Sequence, residues 1–248
     1  MTAPGDIAVI LLAAGVGKRL GAAGPKVLLP VGGRSLLERH LSALSAYGLT
    51  DISLTVGYES AAIRAAVAQL GVPVEFVENP DFRSGSMVSL QVHGARLRRG
   101  TQVILMDGDV LYSEEMIGRL LNGAGENVLL MDREIEPGDE PVKICLRGET
   151  IVDFRKIPEH AHDRHGESVG FFRFSASTAM NLANRCDWYA AQGQTGLEYE
   201  EAIRDLILEA PAAFAATDIT DIAWTEIDFP EDLIRAREII LPQMERDK

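Results

Sequence analysis

Leu12-Ala-Ala-Gly-Val-Gly-Lys-Arg-Leu-Gly-Ala-Ala-Gly-Pro-Lys26 is the most informative stretch of this chain. It follows Ile7–Leu12, a continuous apolar run of the kind a strand buried on both faces requires. Small residues then stand where backbone must approach another molecule closely. Lys18, Arg19 and Lys26 bring positive charge to the same loop. Backbone N–H groups in such a loop can cradle phosphates, and Arg and Lys neutralise them. It is not a Walker A loop, because Lys26 lies between Pro25 and Val27 with no Gly-Lys-Ser/Thr. It is not a clean dinucleotide fingerprint either. The glycines run G-x-G-x-x-x-G, and the second strand ends Thr55-Val56-Gly57 without the acid that grips a ribose. A flexible connector would not need both small residues and spaced cations.

Outward from the loop, strand and helix signals alternate. Ser35 and Glu38 form an S-x-x-E capping box ahead of Leu37, Leu41 and Leu44 at helical spacing. Strands are expected at Ile52–Val56, Val72–Val77, Val103–Met106 and Val128–Met131. Helices are expected at Glu59–Leu70, from a Ser84 or Ser86 cap through Leu97, and from a Ser113 cap to Leu121. This order implies an α/β fold: a Rossmann-like three-layer sandwich with a mostly parallel mixed sheet. Ligands in such sheets sit at the carboxyl ends of the strands. The second half reads as a hairpin (Val142–Leu146 with Ile151–Phe154), a polar loop Glu159–Gly166 and a strand Ser168–Phe174. Helices Ser175–Gln192 and Glu198–Glu209, a short strand Trp224–Ile227 and a helix Pro230–Leu241 follow. One domain over residues 1–248 is expected, with a nucleotide-binding half (1–131) and an acceptor-binding half (132–248) that adds a small insertion or lid.

With 46% hydrophobic and 25% charged residues, the 248-residue chain has the mix of a soluble globular protein. A net charge of −13 argues against general nucleic-acid binding, which needs a basic footprint. A small anionic substrate stays compatible, because a few local cations dominate one pocket. Cys145 and Cys186 have no metal-ligand spacing and read as reduced core thiols. Ile7–Ala14 is too short to span a bilayer and lacks a basic leader, so neither membrane insertion nor a signal peptide is expected, and the location expected is cytoplasmic. His160, His162 and His165 are spaced unlike a helical zinc pair and read as a solvated loop. The oligomeric state is left open.

The pattern L-A-A-G-x-G-x-R-L-G followed by P-K, here Leu12–Gly21 and Pro25-Lys26, resembles the signature of the nucleotidyltransferases that activate sugar phosphates, phosphocholine and related acceptors. Asp107-Gly108-Asp109 falls where that family keeps a metal-binding aspartate, and Glu226-Ile227-Asp228 where its cytidylyltransferase branch keeps a second acidic cluster. Asn79-Pro80 and Gly85-Ser86-Met87-Val88-Ser89-Leu90 look like the phosphocholine cytidylyltransferase version of that segment, and the G-x-x-Q-G-T of sugar-phosphate enzymes is absent. The resemblance spans residues 7–235 and implies CMP transfer from CTP, with Mg2+, to a small phosphorylated or phosphonylated acceptor.

It also implies roles. Lys26 and Arg19 are the catalytic cations, on the α- and the β,γ-phosphates. Leu12, Ala13, Ala14, Gly15 and Gly17 line the nucleotide, joined by Ser86, Ser89 and Asp107. Asp109, Asp228 and Glu226 are the magnesium ligands, carboxylates being what a hard cation takes. Lys143, Glu198, Tyr199, Glu200 and Trp224 are acceptor-side candidates, the aromatics and acids suiting an amine or quaternary ammonium. Phosphocholine, phosphoethanolamine, 2-aminoethylphosphonate and inositol phosphate all stay open. The competing classes are a transferase using another base or a sugar 1-phosphate, a redox enzyme binding NAD(P) without magnesium, and a non-catalytic nucleotide sensor.

Overall fold

A computed structural model describes residues 6–21, 24–135 and 138–246; Ala22 and Ala23 of the loop lie outside the described residues. The first strand of the described residues is β1 (Ala8–Leu12), whose five residues are all buried. Val9 and Leu11 enter one core with Leu41 and Ile63, whereas Ala8, Ile10 and Leu12 enter another with Leu90 and Phe172. Side chains alternate along a strand, so a strand between two cores must be apolar throughout. A hairpin of β2 (Pro30–Val31) and β3 (Arg34–Ser35) leads into α1 (Leu36–Ala46). The Ser35 hydroxyl caps α1 by accepting the Glu38 amide at 3.1 Å.

β4 (Asp51–Val56), α2 (Ser60–Leu70), β5 (Glu75–Glu78), α3 (Ser86–Gln91), α4 (Gly94–Leu97) and β6 (Val103–Asp107) complete the parallel part. β7 (Val110–Tyr112), α5 (Glu115–Asn122), β8 (Asn127–Asp132), β9 (Lys143–Arg147), β10 (Thr150–Arg155) and β11 (Arg164–Phe174) come next. The chain then forms α6 (Ala176–Ala191), α7 (Glu200–Glu209), β12 (Phe214–Asp218) and β13 (Trp224–Glu226). It ends in α8 (Pro230–Arg235), which runs through a π turn at Ala236–Ile240 into α9 (Leu241–Arg246).

Among the described residues the main sheet has nine strands, in the order β10-β9-β11-β6-β1-β4-β5, with β8 pairing both β11 and β12. Strands β6, β1, β4 and β5 are parallel, as is β8 with β12, while β11 pairs antiparallel to β6, β8 and β9. Helices cover both faces, as the alternating pattern requires.

Several expected elements differ. The helix expected from Ser84 or Ser86 to Leu97 is two helices, broken at Val92 and His93, and its N-cap is Gly85 with no side-chain cap. At the break the His93 ring points inward, with its nitrogens 3.2 Å from the Ser53 hydroxyl and 2.6 Å from the Thr55 hydroxyl. Ser113 does not cap α5; its hydroxyl is buried without a partner, and Glu114 holds the cap position. Part of the polar loop 159–166 is strand, since Arg164–Glu167 pairs with β9. β7 is three residues long and follows β6 at once, and β12 (Phe214-Ala-Ala-Thr-Asp218) has one large apolar residue, so neither stands out in the sequence.

Candidate active site

The cleft opens where β1 and β6 end side by side, with Leu12 in register with Asp107. Just beyond, the Gly108 amide donates to the Leu12 carbonyl at 2.9 Å. A Cβ on Gly108 would lie 2.6 Å from that oxygen, so only glycine lets the two loops approach so closely. β7 follows at once and pairs antiparallel with β13, placing Val110 opposite Glu226. The Ile227 amide donates to the Asp109 carbonyl at 3.0 Å. This small ladder brings Asp109, Glu226 and Asp228 together, each offering a carboxylate oxygen within 4.8 Å of the others. Three hard oxygen donors so grouped fit a magnesium ion.

Lys26 faces this cluster. It starts a single 3-10 turn after Pro25, and its stem passes under Gly17, where a Cβ would lie 2.7 Å from Lys26 Cγ. The ammonium donates to Asp109 Oδ2 at 2.9 Å and also to Asp228 Oδ1. Burial acts to lower its pKa, but the two carboxylates outweigh this and hold it above the usual lysine range. Arg19 donates to Asp228 and, at 3.1 Å, to Glu140, with its guanidinium 4.9 Å from the Phe229 ring centroid. Glu226 is exposed at the cleft, with its carboxyl crowded by Asp109 and Asp228. Burial, then Asp109 and Asp228, push its pKa well above the usual range.

The cleft measures about 530 Å³. Leu12, Ala14, Gly15, Ser86, Ser89 and Asp107 line it, as expected of nucleotide-side residues. Ala13 does not: its amide donates to the Thr55 carbonyl at 3.1 Å, within the sheet. Gly17 lies behind the lysine stem rather than on the lining. The Ser86 hydroxyl accepts the Tyr199 amide at 2.9 Å, and the Ser89 hydroxyl accepts from Asn79 at 3.0 Å. Gly85 and Met87 donate their amides to the carbonyls of Thr195 and Leu197, at 3.0 and 3.1 Å. These bonds tie the start of α3 to the segment before α7.

On the acceptor side the outcome is mixed. Glu198, Tyr199, Glu200 and Trp224 line the cleft, but the two aromatics are mostly buried and hold acids. The Tyr199 hydroxyl donates to Asp107 Oδ2 at 2.6 Å, and the Trp224 indole N–H donates to Asp132 at 2.8 Å. Asp107 shares a tight space, since a Cβ on Gly170, at φ 71°, would sit 2.2 Å from its Oδ2. Burial, followed by Asp109 and Glu200, raises the Asp107 pKa. Lys143 is not brought to the cleft. Its ammonium is spent on the carbonyls of Gly138, Pro141 and Lys156, at 3.1, 3.3 and 2.8 Å. Lys156 takes the lining position instead, paired with Glu198 at 3.0 Å. Lys156, Asp132 and Glu167 were missed in the sequence, because nothing in their local pattern separates a cleft-facing residue from a solvent-facing one. Burial and Asp132 push the Glu167 carboxyl up to about 7.

Glu200 yields a stability prediction. Burial first, and then Glu198, push its carboxyl up to about 8, and its Oε2 is buried without a partner. Its unfolded value is near 4.3. The folded state therefore holds an extra proton between these limits and loses stability as pH rises through the window. Glu200→Gln should melt a few °C above the parent at pH 8, with the gap closing at about pH 4.3. Parallel melting curves across that window would refute the assignment.

The histidines at 160–165 form no metal group among the described residues; His162 and His165 contact each other at 3.1 Å. No described helix is long and apolar enough to cross a membrane.

Comparison with known proteins gives a consistent family result. The MobA-like NTP transferase domain matches residues 9–170. A bifunctional IPC transferase and DIPP synthase of Rubrobacter xylanophilus is 30% identical over 95% of this chain and 52% of its own length. A CMP-5'-(3-aminopropyl)phosphonate synthase of Streptomyces rubellomurinus is 27% identical over 98% of this chain and 40% of its own length. The chain thus spans about half the length, or less, of these curated relatives. Among solved structures, the CTP:phosphocholine cytidylyltransferase of Streptococcus pneumoniae superposes with a TM-score of 0.77 at 22% identity, covering 94% of this chain and 99% of that one. The inositol-1-phosphate CTP transferase of T. maritima gives 0.73 at 18%, covering 97% and 99%. Both share the α/β nucleotidyltransferase fold.

Proposed function

The chain belongs to the MobA-like NTP transferase domain family, and from that premise we propose that it transfers CMP from CTP, with magnesium, to a small phosphorylated or phosphonylated alcohol or amine. The observation that carries this reading is the pairing of two loop cations, Lys26 and Arg19, with the carboxylates Asp109 and Asp228 at the ends of β6 and β13. The acceptor's phosphate or phosphonate oxygen attacks the α-phosphorus. A new P–O–P linkage forms as the bond to the leaving pyrophosphate breaks. The nucleophile is already an anion, so no strong base is needed, and rate comes from positioning and charge stabilisation.

Lys26 serves the α-phosphate and the acceptor oxygen, and Arg19 the β- and γ-phosphates. In the free protein both are held by Asp228, and arriving phosphates offer them a stronger partner. Asp109, Glu226 and Asp228 would hold magnesium, which neutralises charge on the triphosphate. The amides after β1 receive the nucleotide, with Ser86 and Ser89 opposite.

For the acceptor, the carboxylates of Asp132, Glu134 and Glu198 give the far wall negative charge, with Lys156 beside Glu198 and with Glu200 and Glu167 adding neutral carboxyl groups where they hold a proton, and this wall suits a cationic head group such as an aminoalkyl phosphonate, phosphoethanolamine or phosphocholine. The similarity to the aminopropylphosphonate synthase supports this choice. A second reading, inositol phosphate, is favoured by the likeness to the IPC transferase and to the inositol-1-phosphate CTP transferase. Pyrophosphate release with each of four nucleoside triphosphates against these acceptors decides between them. Turnover with CTP and an amine-bearing acceptor is expected. Turnover with inositol phosphate alone selects the second reading, and turnover only with another triphosphate and a sugar phosphate overturns both.

A further inference from the structure

His40 lies on α1, fully buried beneath the turn that joins β6 to β7. Its Nε2 is 3.2 Å from the Gly108 carbonyl and its Nδ1 is 3.2 Å from the Tyr112 hydroxyl. The carbonyl can only accept, so Nε2 carries the proton and Nδ1 accepts from Tyr112. Burial lowers the ring's pKa to about 4, which keeps it neutral at neutral pH, and its two partners select the tautomer. The ring also packs against Phe171, with centroids 6.3 Å apart, and Tyr112 meets Phe171 edge-on at 4.9 Å.

Gly108 sits between two acids and has no side chain to hold it. Its amide is fixed by Leu12, and its carbonyl is fixed by His40. Both peptide planes of a residue that is otherwise free to rotate are thereby pinned. Tyr112 is paired with Trp224 in the β7–β13 ladder, so the same contact reaches the strand that carries Glu226. We propose that His40 is a positioning residue of the active site, which sets the Asp107-Gly108-Asp109 turn through the Gly108 carbonyl and touches no substrate itself. The proposal rests on reading Asp109 as a metal ligand.

The test compares His40→Leu, His40→Gln, Tyr112→Phe and Asp109→Asn by Mn2+ binding in the presence of CTP, alongside thermal melting and transfer kinetics. Leucine keeps bulk and removes the donor; glutamine returns an N–H near the Nε2 position. His40→Leu should weaken Mn2+ binding and lower kcat by roughly 10- to 100-fold, with KM for the acceptor within about twofold, as expected when only the supporting shell is disturbed. His40→Gln should recover most of both. A folded His40→Leu that binds Mn2+ like the parent overturns the proposal, as does a His40→Gln as impaired as the leucine variant. Should His40→Leu not fold, Tyr112→Phe decides: Mn2+ affinity should fall a few-fold, and unchanged affinity counts against the proposal. If Asp109→Asn binds Mn2+ as well as the parent, the metal reading of Asp109 fails first and takes this inference with it.

Discussion

Lys26→Ala should lower kcat by roughly 10²- to 10³-fold, the range for removing one preorganised charge stabiliser. The ammonium contacts both Asp109 and Asp228, whereas Arg19 contacts Asp228 and Glu140, and the lysine stem packs against Gly17. The same variant should melt lower than the parent without metal. Its loss leaves Asp109, Asp228 and Glu226 clustered with one partner fewer, and a partly buried charge stripped of its mate is destabilising. Added Mg2+ should restore much of the melting temperature but not the rate. Pyrophosphate release at saturating substrates and melting with and without Mg2+ test both halves. A rate within tenfold of the parent would remove Lys26 from the chemistry.

Asp109→Asn should be as damaging by a different route, lowering kcat roughly 10²- to 10⁴-fold, since metal assistance is worth several kcal/mol. Asparagine keeps the shape and hydrogen-bonding capacity of the turn but drops the charge. The melting temperature should change little, because Lys26 keeps Asp228 as its charged partner, the asparagine oxygen can still accept from the ammonium, and the residue 109 backbone carbonyl still accepts from Ile227. The deficit should persist when Mg2+ is raised a hundredfold over the parent's requirement. Recovery to parental kcat at high Mg2+ would mean that Asp109 tunes affinity only.

In the parallel half, β1 and β6 were legible because they lie between two cores and so announce themselves as apolar runs, β4 because Ile52, Leu54 and Val56 alternate with polar residues, whereas the edge strand β5 is partly exposed and lies at Glu75–Glu78, later than the expected Val72–Val77. The site was legible where chemistry and local spacing coincide, as in the loop from Leu12 to Lys26 and the pairs around Gly108 and Ile227. It was illegible where a role depends on which way a strand residue points. Lys143 and Lys156 look alike in sequence, and only the path of the chain around β9 and β10 gives one to carbonyls and the other to the cleft. Tyr199 and Trp224 suggested an aromatic surface for a ligand, whereas their polar ends are turned to Asp107 and Asp132. His40 looked like any residue of an amphipathic helix, for its partner carbonyl is 68 residues away.

Lys26 and Asp228 stand 202 residues apart. A ribosome working at about 5–20 residues per second therefore delivers the lysine roughly 10–40 s before the aspartate. Through that interval a nascent chain carries the phosphate loop without the β7–β13 ladder that assembles the carboxylates. On the proposed reading, a chain truncated before residue 228 should therefore release no pyrophosphate, and activity would report that synthesis has passed that residue.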